Sequence, residues 1–135
     1  MAFDDSSVAP EFEQLKALRS RLLQLHKALL DAEKDAYEQT HGPVRNRGEY
    51  FQLVVGHEWF SWLRPMSQFI VEMDEVLMAK EPQPVEAAQQ LLQDARVLIK
   101  TSETGQILNQ RYEALVQLDP HIAPLYQQTT ALLTP

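Results

Sequence analysis

A chain of 135 residues with no cysteine and a formal net charge of −7 is long enough to bury one hydrophobic core. The acidic charge argues against nucleic-acid binding, which normally needs a basic face, and the lack of cysteine excludes disulfides and thiolate metal sites. No apolar stretch approaches the ~20 residues of a membrane span. We therefore expect a soluble, cytoplasmic protein that binds neither nucleic acid nor membranes.

The first helix is expected to begin at Pro10 and to run to about residue 40, which leaves residues 1–9 as a flexible N-terminus and 10–135 as one domain. Apolar residues recur along this helix at alternating intervals of three and four, which is the heptad pattern of a helix that packs along one seam. The stretch "THGPVRNRG" then predicts a loop, because its first glycine and its proline end the helix. The seam comprises Leu15, Leu18, Leu22, Leu25, Leu29, Ala32 and Ala36.

The next two helices are expected over about 49–63, either continuous or interrupted at Gly56, and over about 65–80, with a break or kink at Pro65, because proline removes a backbone hydrogen bond. The third helix is apolar around most of its circumference, and Val71 and Met78 lie away from its main apolar face. A helix of this kind lies at the centre of its domain or at a subunit contact. Val71 and Met78 are therefore the candidate interface residues.

The stretch "GHEWFSWLRPMSQF", residues 56–69, joins these two helices and is rich in aromatic residues. We interpret it mainly as a corner where the helices pack together. Arg64, within it, is a plausible partner for Asp74, which lies on the edge of the third helix's apolar face. The pair is either a structural ion pair or part of a ligand site. The bulky side chains of the corner are Phe51, Trp59, Phe60, Trp62 and Leu63.

Three more helices complete the chain, over about 85–100, 103–118 and 120–133, the last with Asp119 as its N-cap and Pro120 as its first residue. No segment alternates apolar and polar residues as a strand does. The sequence therefore predicts an all-α fold: a single-domain helical bundle of five to six helices with a long first helix and a proline-broken second and third helix.

A line of polar residues accompanies the leucine seam of the first helix. Arg19, His26 and Glu33 occupy successive e positions of the heptad, and Tyr37 extends the same side. Residues at e positions usually form interhelical salt bridges. An inward-facing histidine near Glu and Tyr can also serve as an acid–base residue or as a ligand.

Known catalytic and metal-binding patterns are nearly absent from the sequence. Di-metal bundles need Glu-x-x-His on two helices, and here Glu38 and His41 provide a single match, which makes them weak metal candidates. There is no P-loop, no dinucleotide glycine pattern and no G-x-S-x-G. We therefore predict no cofactor and no catalytic residue.

The stretches "LHKALLDAE" and "FSWLRPMSQFIVEMDE" resemble uncharacterised all-helical proteins from bacteria, over about residues 18–80. That family has no established activity, so the resemblance implies a bacterial, cytoplasmic, all-helical protein and no mechanism.

These features favour a non-enzymatic helical interaction or scaffold protein that self-associates as a homodimer and binds protein partners. The alternative is a helical bundle that binds a small ligand or a metal in a pocket formed by His26, Glu33, Tyr37, Arg64 and Asp74. The sequence does not distinguish a leucine seam within one chain from a seam between two chains.

Overall fold

The computed structural model describes residues 9–134, and within them the chain forms an all-α bundle without strands. This confirms the predicted fold class. The predicted flexible N-terminus, residues 1–9, lies outside the described residues except for Ala9. The elements are α1 (Pro10–His41), α2 (Arg47–Gly56), a 3₁₀ helix (Glu58–Leu63), α3 (Arg64–Leu77), α4 (Val85–Lys100), α5 (Glu103–Leu118) and α6 (Ile122–Ala131).

The long helix α1 is the centre of the bundle. It contacts α3, α4, α5, α6 and the 3₁₀ helix, and at 1.5 Å per residue it is about 48 Å long. All five leucines of its seam are fully buried, as is Ala32, whereas Ala36 is half-buried. The leucine seam therefore packs within the chain, against the other helices of the same molecule.

Capping hydrogen bonds determine where the helices between α1 and α3 begin. The Asn46 side chain accepts a hydrogen bond from the Glu49 backbone N–H at 2.8 Å, which begins α2. After α2 ends at Gly56, the extended residue His57 starts the 3₁₀ helix by accepting a hydrogen bond at Nδ1 from the Trp59 backbone N–H, at 3.0 Å. Pro65 lies in the first turn of α3 and marks the change from 3₁₀ to α geometry.

The aromatic corner is packed much as the sequence predicts. Phe60, Trp62 and Leu63 are buried, and the buried Thr104 hydroxyl of α5 donates a hydrogen bond to the Trp62 carbonyl at 2.7 Å. Phe51 is the exception, because its side chain on α2 is 66% exposed. The corner thus joins the 3₁₀ helix to α5, whereas α2 lies at the periphery.

The C-terminal half is a helical hairpin followed by a short helix. α6 begins at Ile122, two residues after Pro120, because Asp119 accepts a hydrogen bond from the His121 backbone N–H and so caps a turn before the helix. The end of α6 is held on the bundle by Arg96, whose Nε donates to the Leu133 carbonyl at 2.7 Å. The chain terminus described here therefore packs against α4.

The α4–α5 hairpin depends on Gly105. A Cβ atom at this position would collide with the Ile99 carbonyl and would lie 2.8 Å from the Leu98 carbonyl oxygen, both of which belong to the α4 backbone. We expect Gly105→Ala to lower the free energy of unfolding by about 2 kcal/mol in urea denaturation, since overpacking outweighs alanine's better helix propensity. Gly56→Ala is the matched control, because no atom lies within 4 Å of its Cβ position. Equal stability of the two variants would contradict the close approach.

Candidate functional site

The four polar residues that follow the leucine seam of α1 lie in four separate environments. Arg19 pairs with Asp74 of α3, His26 lines a cavity, Glu33 is buried in an ion pair, and Tyr37 belongs to an aromatic cluster. The residues are one or two helical turns apart along α1, so each meets a different neighbouring element. The five ligand candidates therefore do not converge on one pocket.

Glu33 is the most deeply buried charged residue described, with 1% of its surface exposed. Arg111 of α5 binds it with two hydrogen bonds, Nε to Oε2 at 2.9 Å and Nη2 to Oε1 at 2.6 Å. Trp62 Nε1 donates to the same carboxylate at 2.8 Å, and Trp59 Nε1 donates to the Glu33 backbone carbonyl at 3.2 Å. With three donors on its two oxygens, this carboxylate is satisfied, and its role is structural.

Asp74 is paired with Arg19 rather than with Arg64. The Arg19 Nε–Asp74 Oδ1 distance is 2.6 Å, and each side chain is about one-third exposed. The hydrogen bond from Arg19, together with the Asp74 negative charge, raises the pKa of the guanidinium. The ion pair joins α1 to α3 at the surface.

Arg64 has a different role at the start of α3. Its Nη2 donates to the His57 carbonyl at 2.7 Å, and its Nε donates to the Val54 carbonyl at 3.3 Å. These two carbonyls belong to the last turn of α2 and its C-cap, where carbonyl groups lack partners within the helix. Arg64 therefore holds the end of α2 against α3.

A cavity of about 190 Å³ opens between α1, α2 and α3. Two of the predicted ligand candidates, His26 and Arg64, line it together with the polar residues Ser67 and Gln68. The other three candidates, Glu33, Tyr37 and Asp74, lie outside its lining. The apolar walls are formed by Leu30, Val54, Val55, Phe60 and Leu63.

Burial lowers the pKa of His26, and a hydrogen bond to the Leu63 backbone opposes the shift in part. The imidazole is therefore neutral at pH 7, with one nitrogen able to donate and the other able to accept a hydrogen bond. In this state it offers a polar contact to the cavity without adding charge.

The weak metal candidates occupy a separate cluster at the end of α1. His41 stacks on Tyr37 with ring centroids 4.2 Å apart, and the Trp59 and His57 rings meet Tyr37 edge-on. Glu38 points to the following loop, where Oε2 accepts a hydrogen bond from the Val44 backbone N–H at 2.7 Å. No group of three or more His, Asp or Glu residues within 9–134 is arranged to hold a metal ion.

An exposed apolar face adjoins the cavity, whose lining includes one of its residues, Val55. On α1, Leu23 shares a side with Arg19 and His26, and on α3, Val71 shares a side with Ser67 and Asp74, by spacings of three and four. Arg19 pairs with Asp74, and His26 lines the same cavity as Ser67. These two sides of α1 and α3 are therefore adjacent, and the two helices run antiparallel. We define the exposed apolar face as Leu23, Phe51, Val55, Val71 and Met78, of which Val71 is 55% and Met78 69% exposed.

Sequence reasoning missed several of these residues. Arg111 follows Glu33 by 78 positions, and no local pattern on α5 marks it as the partner of a buried carboxylate. Leu23 carried a usable signal, because a leucine outside the heptad seam of α1 has no core position to fill. Val55 had no such signal, since α2 is too short for a clear apolar period.

Comparison of the chain with protein-family models, with curated proteins and with solved structures found no match in any of the three. This agrees with the resemblance to all-helical proteins that have no established activity. No helix within residues 9–134 combines the length and the apolar content that crossing a bilayer requires.

Removal of Arg111 alone is expected to destabilise the fold more than neutralising both members of the Glu33–Arg111 pair. Arg111→Met leaves a buried carboxylate without its cation, and we expect it to lower the free energy of unfolding by about 2 kcal/mol in urea denaturation. The double variant Glu33→Gln/Arg111→Met should regain part of this loss, because glutamine is neutral and still accepts from Trp62. The control is Glu13→Gln in the exposed Lys16–Glu13 pair, expected to cost less than about 0.5 kcal/mol. Equal losses in Arg111→Met and in this control would contradict the assignment.

The lowered pKa of His26 predicts a dependence of stability on pH. The unfolded chain binds a proton at His26 near the ordinary pKa of 6.5, whereas the folded chain binds it only at lower pH. The contribution of His26 to the free energy of unfolding is therefore fully present above pH 6.5 and is lost as the pH falls towards the pKa of His26 in the folded chain. We expect the melting temperature of the wild type to fall more steeply below pH 6.5 than that of His26→Gln. Parallel curves for the two proteins would show that His26 is not the group involved.

Proposed function

We propose that this protein is a non-enzymatic helical interaction protein that self-associates as a homodimer through the exposed apolar face. The observation that carries the proposal is the exposure of Val71 and Met78 on the same side of the bundle as Leu23 and Val55. Monomeric proteins rarely expose large contiguous apolar patches, and such patches often mark protein interaction sites. The cytoplasm of a bacterium is the proposed location, on the basis of the cysteine-free sequence and the family resemblance.

The charges near the exposed apolar face limit how two copies of the chain can meet. The net charge of −7 opposes the association of two identical molecules. Within the face, however, the charge of Asp74 is already compensated by Arg19. Glu75, which lies between Val71 and Met78 on the same side of α3, is exposed and forms no ion pair within the described residues, so a twofold contact has to leave its carboxylate at the solvated edge.

In the proposed homodimer, the sides of α1 and α3 that carry the exposed apolar face form a symmetric contact. The relevant sides of α1 and α3 are antiparallel neighbours, and each is only partly apolar. A twofold axis between them pairs the same patch on both subunits, so Val71 and Met78 of one copy meet the same face of the other. The homodimer thereby covers side chains that the monomer leaves in water.

One observation supports a reduced form of the competing small-ligand hypothesis, in which only two of the five candidate residues share a site. His26 and Arg64 line one cavity, whereas the metal alternative has no cluster of ligands within the described residues. A ligand site and a dimer interface are compatible, because the cavity occupies only one end of the exposed apolar face.

The test of self-association is the double variant Val71→Glu/Met78→Glu. Both side chains are exposed, so the core stays intact, and the helical circular dichroism and the melting temperature should change little. We expect sedimentation velocity to show a dimer for the wild type and a monomer for the variant, because four added carboxylates repel each other across the interface.

The matched control is Val97→Glu on α4. Val97 is 48% exposed and lines a groove between α3 and α4 with Pro65, Glu72 and Asp94. This variant should remain dimeric. A wild-type protein that is monomeric at high micromolar concentration, or a double variant that stays dimeric, would refute the proposal.

A further inference from the structure

The positive charge of Arg64 has no counter-ion within the described residues. The ion pairs found there use Arg19, Arg111, Lys16, Lys27 and His121, and none involves Arg64. Both of its acceptors are neutral backbone carbonyls. An arginine in a protein remains charged at physiological pH, so this guanidinium brings an uncompensated positive charge to the cavity wall.

The same two carbonyls hold the guanidinium in a fixed orientation. Nε and Nη2 are engaged by Val54 and His57, while Nη1 has no hydrogen-bond partner among the described residues. A guanidinium fixed in this way is preorganised, so an anion can bind it without a further loss of side-chain entropy. In a protein with a net charge of −7, a fixed arginine without an ion-pair partner at a cavity wall is a candidate contact for a negative group.

The rest of the cavity is suited to an apolar body. Leu30, Val54, Val55, Phe60 and Leu63 form the walls. The volume of about 190 Å³ slightly exceeds the ~150 Å³ of an engineered apolar cavity that binds benzene. The space therefore accommodates one six-membered ring or a short branched chain with a small polar group.

Two neutral polar groups lie beside the charge. The Gln68 amide can donate two hydrogen bonds, whereas the single N–H of neutral His26 is engaged by the Leu63 backbone and leaves an accepting nitrogen. A carboxylate has two oxygens that both accept hydrogen bonds, so it matches the charged donor Arg64 with the neutral donor Gln68 next to it. A phosphate carries more charge than a single unpaired arginine compensates.

From these contacts we infer that the cavity between α1, α2 and α3 is a binding site for a small organic monocarboxylate with an apolar body the size of one ring. The carboxylate pairs with Arg64 and accepts a hydrogen bond from Gln68, while the ring or branched chain packs against the apolar walls. This inference does not depend on self-association, because none of its argument uses Val71 or Met78.

The experiment is a titration of the ¹⁵N-labelled full chain with benzoate, followed by two-dimensional NMR. Benzamide, which has the same shape without the charge, is the matched ligand. We expect saturable benzoate-dependent shifts at the amides of Val54, Leu63 and Ser67, and at least roughly tenfold weaker binding of benzamide, because a charge-assisted hydrogen bond is lost. The titration is repeated in Val71→Glu/Met78→Glu, so that failure of the ligand site is distinguishable from failure of the dimer.

Two variants test the residues that form the site. Arg64→Gln should weaken benzoate binding roughly tenfold and leave benzamide binding little changed. Since Arg64 also anchors α2, a second variant avoids that role: Ser67→Phe fills the cavity from an exposed position and should abolish binding of both ligands. Ser20→Phe, the same change at an exposed position outside the cavity lining, should bind benzoate as the wild type does.

Three results would overturn the inference. One is the absence of saturable shifts at millimolar benzoate in both the wild type and the monomeric variant. Another is equal affinity for benzoate and benzamide, which would show an apolar cavity without selectivity for a carboxylate. The third is unchanged benzoate binding in folded Ser67→Phe, which would place the ligand elsewhere.

Discussion

The apolar seam of α1 is the surface on which the rest of the bundle is assembled. Four other α-helices and the 3₁₀ helix contact this one helix, and the five leucines of its seam are fully buried. Burial of leucine side chains supplies about 1.5–3 kcal/mol each, so a strip of five is a dominant contribution to the core. The position of every other element is defined relative to α1, and the exposed sides of α1 are those that the other helices leave uncovered.

Beside the seam, a buried carboxylate determines how the aromatic corner meets α5. Glu33 accepts hydrogen bonds from Trp62 and Arg111, and Thr104 binds the Trp62 carbonyl. A charge in the interior is tolerated only when its partners are complete. This requirement allows few arrangements of the 3₁₀ helix and α5, whereas leucine packing alone tolerates many.

The stretch "GHEWFSWLRPMSQF" thus serves two purposes. Its buried side chains pin the corner to the core, which is the structural role that the sequence suggested. Arg64, in the same stretch, turns outward to the end of α2 and to the cavity. The two proposals for this molecule concern the surface next to that corner: an exposed apolar face that a second copy covers, and a cavity in which an arginine lacks an anion.

Local sequence patterns determined the helices, because capping residues, prolines and apolar periodicity act over a few positions. The α4 and α5 bounds match the prediction, and the seam of α1 is buried as its heptad period requires. Only the tertiary structure decided which polar residues meet. Arg111 pairs with Glu33 across 78 positions, and Arg19 pairs with Asp74 across 55. Neither pairing can be predicted from the spacing of residues within one helix. The periodicity of a helix fixes which side a residue occupies, whereas its partner depends on how the helices are arranged around α1.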